Sequence, residues 1–212
     1  MIYPFADFFL GSLVRLFIRK VHGMENLPKP PFILAANHES YLDPFLIIAT
    51  VTPKLNKQIH YLAMKGRFWN KFGEIISRKW AGCVPLDEGK DKAMAELISL
   101  LKKGEIIGIF PGGPRSLDGN LTKGKTGAVR LALAAKVPII PIGLKGTYDI
   151  APKDKIIPNL KRCELFFGKP IYYTRYYKKK LSNRSLHKLT DGLMRQIGKL
   201  INKKYLYSRR HS

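Results

Sequence analysis

Short apolar runs alternate with longer helical patterns along most of the chain, and this alternation constrains the fold more than any other feature. Apolar runs at 32–36, 59–64, 82–86, 106–110, 137–143 and 163–168 read as strands. Helical spacing recurs over 44–51, 67–78, 90–103, 125–135 and 183–204. The order predicts an α/β fold, an open sheet covered by helices with functional groups at strand ends. At 212 residues and 45% hydrophobic content, the chain suits one domain with a sizeable core and excludes global disorder. No internal repeat or low-complexity linker interrupts it.

Two segments carry finer expectations. Val137-Pro138-Ile139-Ile140-Pro141-Ile142-Gly143 holds two prolines in an apolar strand, which predicts a buried edge strand. The last helix should start after Ser182 or Asn183. It sets Leu186, Leu189, Leu193, Met194, Ile197, Leu200 and Ile201 on one stripe, with lysine and arginine opposite.

The N-terminal stretch Ile2 to Ile18 is rich in phenylalanine and leucine. Its apolar part, Phe8 to Ile18, is shorter than the ~20 residues that span a bilayer, and it contains Arg15. No transmembrane helix is expected, and no signal peptide, since a basic leader and a small-residue cleavage site are lacking. An amphipathic helix ending in Arg19 and Lys20 fits either a membrane interface or packing on its own domain.

The net charge of +23 implies a polyanionic partner: an anionic membrane, a phosphorylated substrate, an acidic carrier protein or nucleic acid. Residues 151–212 carry 17 Lys and Arg against 3 Asp and Glu, so the C-terminal part is the stickiest surface. There Tyr172, Tyr173, Tyr176 and Tyr177 beside Lys178 to Lys180 fit a membrane interface or a cover for the sheet edge. Cys83 and Cys163 lack metal-ligand spacing and read as small buried residues, compatible with a reducing cytoplasm. No nucleic-acid-binding motif is present.

Three groups of residues point to chemistry. In Asn37-His38-Glu39-Ser40-Tyr41-Leu42-Asp43-Pro44, a histidine and a carboxylate stand five residues apart after an apolar strand. A neutral imidazole can take a proton from a hydroxyl, and a carboxylate fixes its tautomer. The same residues also fit an ordinary helix N-cap, Asp43, followed by a first-turn proline.

Pro111-Gly112-Gly113-Pro114-Arg115-Ser116 follows the strand 106–110 directly. Its glycines allow backbone amides close to an anion, and Arg115 can fork onto phosphate oxygens; a plain turn is the competing reading. Leu121 to Gly127 then opens a helix with Lys123 and Lys125, a reasonable anion site whose spacing is not that of a P-loop. The chain has no GxSxG elbow, and neither cysteine has a histidine neighbour in sequence, so the sequence signals no covalent nucleophile.

Taken in order, Asn37-His38 with Asp43, Phe110-Pro111-x-Gly113-x-Arg115-Ser116, and Val137-Pro138-Ile139-Ile140-Pro141 resemble the glycerolipid acyltransferase family, most closely its bacterial 1-acyl-sn-glycerol-3-phosphate acyltransferases. The likeness runs from about Val21 to residue 204. It implies a single-domain sheet flanked by helices, with an N-terminal membrane-docking helix at 1–20, an acyltransferase domain at 21–204 and a basic tail at 205–212.

The resemblance also implies roles. His38 would be the general base and Asp43 its orienting partner. Lys65, Arg115 and Lys125 would bind substrate phosphate, with Gly112, Gly113 and Ser116 shaping the loop. Val137, Pro138, Ile139, Ile140 and Pro141 would wall the acyl groove. The acceptor would be a lysophospholipid, most closely lysophosphatidic acid, and the donor acyl-CoA or an acidic acyl carrier protein. No cofactor, metal or specific nucleic acid is implied. The expected location is peripheral or monotopic, at the cytoplasmic face of an anionic membrane.

Three positions depart from the family pattern. Gly112 stands for a glutamate and Pro114 for a threonine, while Val84-Pro85-Leu86-Asp87 is followed by Glu88 where an arginine is usual. A carboxylate there would repel phosphate, so Glu88 points away or the acceptor differs; Lys90 is a candidate to compensate. A different lyso-lipid or lipid alcohol acceptor, a degenerate enzyme, and a nonenzymatic basic module binding membranes or nucleic acid are the competing readings.

Overall fold

The computed structural model describes residues 11–63, 82–151 and 158–207. They build one seven-stranded sheet: β1 Ile18–His22, β2 Phe32–Ala36, β3 Ile59–Ala63, β4 Cys83–Pro85, β5 Ile106–Ile109, β6 Ile139–Lys145 and β7 Cys163–Phe167. The spatial order is β1-β7-β6-β2-β5-β3-β4. Every pairing is parallel except β6 with β7.

Among the described residues six α-helices accompany the sheet: α1 Ser12–Arg15, α2 Asp43–Leu55, α3 Lys90–Lys102, α4 Gly127–Ala135, α5 Thr147–Ile150 and α6 Asn183–Leu200. The connection through α2 runs from β2 toward β3, and the one through α4 runs from β5 back across β2 to β6. Right-handed crossovers in opposite directions put their helices on opposite faces. Two cores result. One packs α3, α4 and α6 on Ile33, Ala35, Ile107 and Ile139. The other packs α1 and α2 on Phe32, Leu34, Ala36, Ile106 and Ile140.

β2 lies near the centre with all five residues buried, as expected of a parallel strand covered on both faces. Burial of Phe32, Ile33 and Leu34 contributes about 1.5–3 kcal/mol apiece. Its register pairs Ala35 with Ile109 of β5 and with Pro141 of β6. The chain leaves the carboxyl ends of β2 and β5 side by side. This is the switch point of the sheet, where α/β folds open a crevice.

Several expectations need correction. Ile18–His22 is a strand pairing with β7, so Arg19 and Lys20 do not end a helix. Before it, the described helix spans only Ser12–Arg15, packed on α2 by Val14 and by Arg15 Nε and Nη2, which donate to Ala49 O at 3.1 and 3.0 Å. The strand with two prolines is interior, between β7 and β2. It begins at Ile139, and Pro141 still serves as an acceptor, taking Gly168 N–H at 2.8 Å. The helix expected over 67–78 lies outside the described residues.

The last helix ends at Leu200, four residues sooner than its pattern suggested. Ser182 caps it, its Oγ accepting Ser185 N–H at 3.2 Å. Asn202 then turns left-handed at φ 56°, and Lys203 N–H returns to Gly198 O at 2.8 Å. A Cβ on Gly198 would lie 2.4 Å from Lys203 O, so only glycine admits this return. Tyr205, expected in a basic tail, is buried.

Candidate active site

The loop leaving β2 is organised by Asp43. Asp43 is the first residue of α2 and is wholly buried, and its Oδ2 accepts three hydrogen bonds, from Glu39 N at 2.7 Å, Ser40 N at 2.8 Å and His38 Nδ1 at 2.8 Å. The carboxylate faces back into the loop and is not simply an N-cap for its own helix. A carboxylate only accepts, so Nδ1 carries a proton, and in the neutral ring Nε2 is left with its lone pair. Ser40 is closed to solvent, with its Oγ accepting Leu42 N–H, and is not placed as a nucleophile.

Phe110, immediately after β5, stacks on the His38 ring with centroids 3.9 Å apart and planes within 13°. Tyr61 extends the column from β3, 5.7 Å from Phe110. The imidazole is thus held through its edge by Asp43 and through its face by Phe110. Its side chain keeps 18% exposure. Behind it, Asn37 ties the end of β2 to β6: its Oδ1 accepts Leu144 N–H and its Nδ2 donates to Leu144 O, both at 2.8 Å.

The loop after β5 closes on the first one. Ser116 N–H donates to His38 O at 2.8 Å, while Ser116 Oγ donates to Asp118 Oδ1 at 2.9 Å. Next to Ser116, the Arg115 guanidinium lies over the Tyr41 ring, 3.2 Å from its centroid. Its Nη1 is buried and has no hydrogen-bond partner among the described residues. Gly113 adopts φ 79°, and a Cβ there would lie 2.8 Å from Lys125 Nζ, so the Lys125 ammonium sits directly above the loop. Lys125 N–H donates to Pro111 O at 2.8 Å.

Of the residues singled out from sequence, His38, Asp43, Gly112, Gly113, Arg115, Ser116 and Lys125 therefore gather on two adjoining loops. Lys65 lies outside the described residues. Val137, Ile139, Ile140 and Pro141 are buried, with Ile139 and Ile140 facing opposite cores, and only Pro138 retains partial exposure. Glu88 pairs with Lys92 at 2.8 Å. Sequence reasoning also missed Phe110 as a stacking partner, Tyr41 beneath Arg115, and the contact of Glu39 with Lys203, Nζ to Oε1 at 2.8 Å.

Neither thiol is primed for nucleophilic work. Burial pushes Cys163 up to about 12, and its Sγ donates to Phe17 O at 3.2 Å. Burial also raises Cys83.

A family model described as Acyltransferase matches residues 18–145, a stretch that contains both loops. The chain belongs to the acyltransferase family. The 1-acyl-sn-glycerol-3-phosphate acyltransferase of Bacillus subtilis is 31% identical over 186 residues, covering 87% of this chain and 88% of that protein. The chloroplastic 1-acyl-sn-glycerol-3-phosphate acyltransferase LPAT1 of Arabidopsis thaliana is 32% identical over 163 residues, 72% of this chain but 43% of that longer protein. The crystal structure of the 1-acyl-sn-glycerophosphate (LPA) acyltransferase PlsC from Thermotoga maritima matches with a TM-score of 0.67 at 25% identity, over 93% of this chain and 82% of that one. The Thermotoga maritima structure shares the mostly parallel sheet flanked by helices, and family membership sets aside the nonenzymatic basic module.

Proposed function

We propose that this acyltransferase moves a fatty acyl group from a thioester donor, acyl-CoA or acyl carrier protein, to the hydroxyl of 1-acyl-sn-glycerol 3-phosphate, forming phosphatidic acid. The observation that carries the reading is the His38–Asp43 contact of 2.8 Å, which leaves Nε2 as the basic end of a ring already locked in place. Nε2 takes the hydroxyl proton as the oxygen attacks the thioester carbonyl. Collapse of the tetrahedral adduct breaks the C–S bond, and the departing thiolate takes the proton back from the imidazolium. Asp43 steadies the imidazolium between these steps.

Arg115 supports a phosphate-bearing acceptor. Its planar fork is pinned on Tyr41 and has a buried donor unused among the described residues, which a phosphate oxygen would satisfy. Lys125, above Gly113, adds a second cation at the same loop, and Lys65 is assigned to the same role by resemblance. Of the strand read as a groove wall, Pro138 alone has surface to offer an acyl chain.

A membrane surface is the proposed partner and its cytoplasmic face the proposed location. The support is the +23 charge together with Leu13, Leu16, Tyr41 and Leu117, all more than half exposed. Among the described residues no helix is long and apolar enough to cross a membrane.

Purified protein and His38→Ala, offered oleoyl-CoA with lysophosphatidic acid, lysophosphatidylcholine, lysophosphatidylglycerol and glycerol 3-phosphate in mixed micelles, test the proposal. Product from lysophosphatidic acid, lost in the variant, is expected. Transfer to another acceptor would keep the chemistry and replace the substrate, a reading that Gly112 favours because the glutamate usual at this position is absent.

A further inference from the structure

The stretch after α6 does not trail away from the body but crosses both loops of the site. Lys203 Nζ meets Glu39 Oε1 at 2.8 Å and also donates to Gly119 O. Two residues on, Tyr205 Oη accepts Gly124 N–H and donates to Asp191 Oδ1, each at 3.1 Å. Two loops far apart in sequence, the one after β2 and the one after β5, are thus fastened to one strap, the second of them at both Gly119 and Gly124. Gly198 makes the strap possible by admitting the backbone return from Lys203.

Glu39 is the critical partner. It stands between His38 and Asp43 in the chain, is 1% exposed, and its own N–H donates to Asp43 Oδ2 at 2.7 Å. Its carboxylate takes Lys203 on Oε1 together with Asn37 Nδ2 at 3.0 Å, while Oε2 has no partner among the described residues. Burying a carboxylate so fully is unfavourable unless a cation compensates it. From the other side, the loop containing Gly119 also provides Ser116 N–H to His38 O. The backbone that presents the imidazole is therefore gripped on both sides by segments that Lys203 cross-links.

We propose that Lys203 is a positioning residue for acyl transfer: acting through Glu39 and Gly119, it fixes the two loops so that His38 Nε2 stays in line with the acceptor hydroxyl. This rests on the reading of His38 as the base. Lys203 touches neither the imidazole nor the Asp43 carboxylate, and its contribution is to geometry.

The test uses the full chain with oleoyl-CoA and lysophosphatidic acid in mixed micelles, comparing wild type, Lys203→Met and the pair Lys203→Met/Glu39→Gln. A small misplacement of a catalytic group lowers turnover steeply, so Lys203→Met should lower kcat by about 10- to 100-fold with KM held within about twofold. The paired variant no longer buries an uncompensated charge. It should recover the wild-type melting temperature while its kcat stays at least about tenfold low.

The 15N signals of the His38 ring provide a readout independent of turnover. One tautomer is expected in wild type, and tautomer averaging in both variants. The proposal stands only if kcat and the ring signals both move. An unchanged kcat in Lys203→Met, recovery of kcat in the paired variant, or a ring that keeps its single tautomer would each overturn it. His38→Ala in the same assay keeps the two ideas separate: full turnover there would remove the base, and the ring signals would still report on Lys203.

Discussion

Asp43 holds His38 by Nδ1 at 2.8 Å from a position closed to solvent, and the same carboxylate oxygen gathers the N–H groups of Glu39 and Ser40. The contact is both an electrostatic support for the imidazole and the knot that shapes the loop. Asp43→Asn should therefore lower kcat by about 10²- to 10⁴-fold, since general-base catalysis is worth that much. Asp43→Ala orphans three donors and should also destabilise the fold by at least about 2 kcal/mol. Steady-state kinetics and urea denaturation of the two variants check both outcomes.

Phe110 controls the other degree of freedom of the imidazole. Stacking of this kind contributes about 0.5–1.5 kcal/mol beyond area burial, so Phe110→Leu should lower kcat several-fold while leaving KM for the acyl donor nearly unchanged. A variant with wild-type kcat would show that Asp43 alone orients the ring.

Arg115 and Tyr41 should act as a unit on the acceptor. Arg115→Ala should raise KM for lysophosphatidic acid by about tenfold or more, the weight of one charge-assisted pair. Tyr41→Ala should raise it less, by freeing the guanidinium from its stack. Neither should alter KM for the donor, which titration of each substrate at saturating concentrations of the other will reveal.

Gly112 is compelled by its neighbour. A Cβ there would lie 2.0 Å from Thr122 Oγ1 but 3.4 Å from Thr122 Cβ. Gly112→Ala should cost about 1–3 kcal/mol, as overpacking does, and Thr122→Ala in the same chain should relieve most of it. Thermal melts of the single and paired variants decide this.

Burial raises the carboxyl of Glu39 above its ordinary value of 4.5, with Lys203 and Asn37 opposing and Asp43 reinforcing. A raised acid favours the fold below its unfolded value and loses that contribution as pH climbs through the folded value. Glu39→Gln, which has no charge to bury, should gain stability relative to wild type as pH rises from 4.5 toward neutrality. Denaturant midpoints of both proteins across that range measure it, and a gap that shrinks with pH would contradict the assignment.

Much of this was legible in the sequence because it is local. β2 and β5 are short apolar runs ending at glycine, asparagine or proline signals, and His38, Asp43 and Arg115 follow them within a few residues. What escaped depends on distant partners. Ile18–His22 looked like the end of an amphipathic helix because its strand character comes from pairing with β7. The two prolines of the run 137–143 suggested a sheet edge, yet β6, which holds Pro141, is enclosed on both sides. Lys203 looked like one more lysine in a basic helix, since nothing near it in the chain announces Glu39.

The pairing of β1 with β7, Ile18 opposite Cys163, has a consequence for synthesis. Among the described residues β1 has no other neighbour in the sheet, so its ladder hydrogen bonds must wait until the seventh strand leaves the ribosome. At ordinary elongation rates of 5–20 residues per second that interval is about 7 to 30 s. Throughout it, α1 has only its contact with α2 to hold it while β1 stays unpaired, and the sheet closes its β1 edge among the last events of its making.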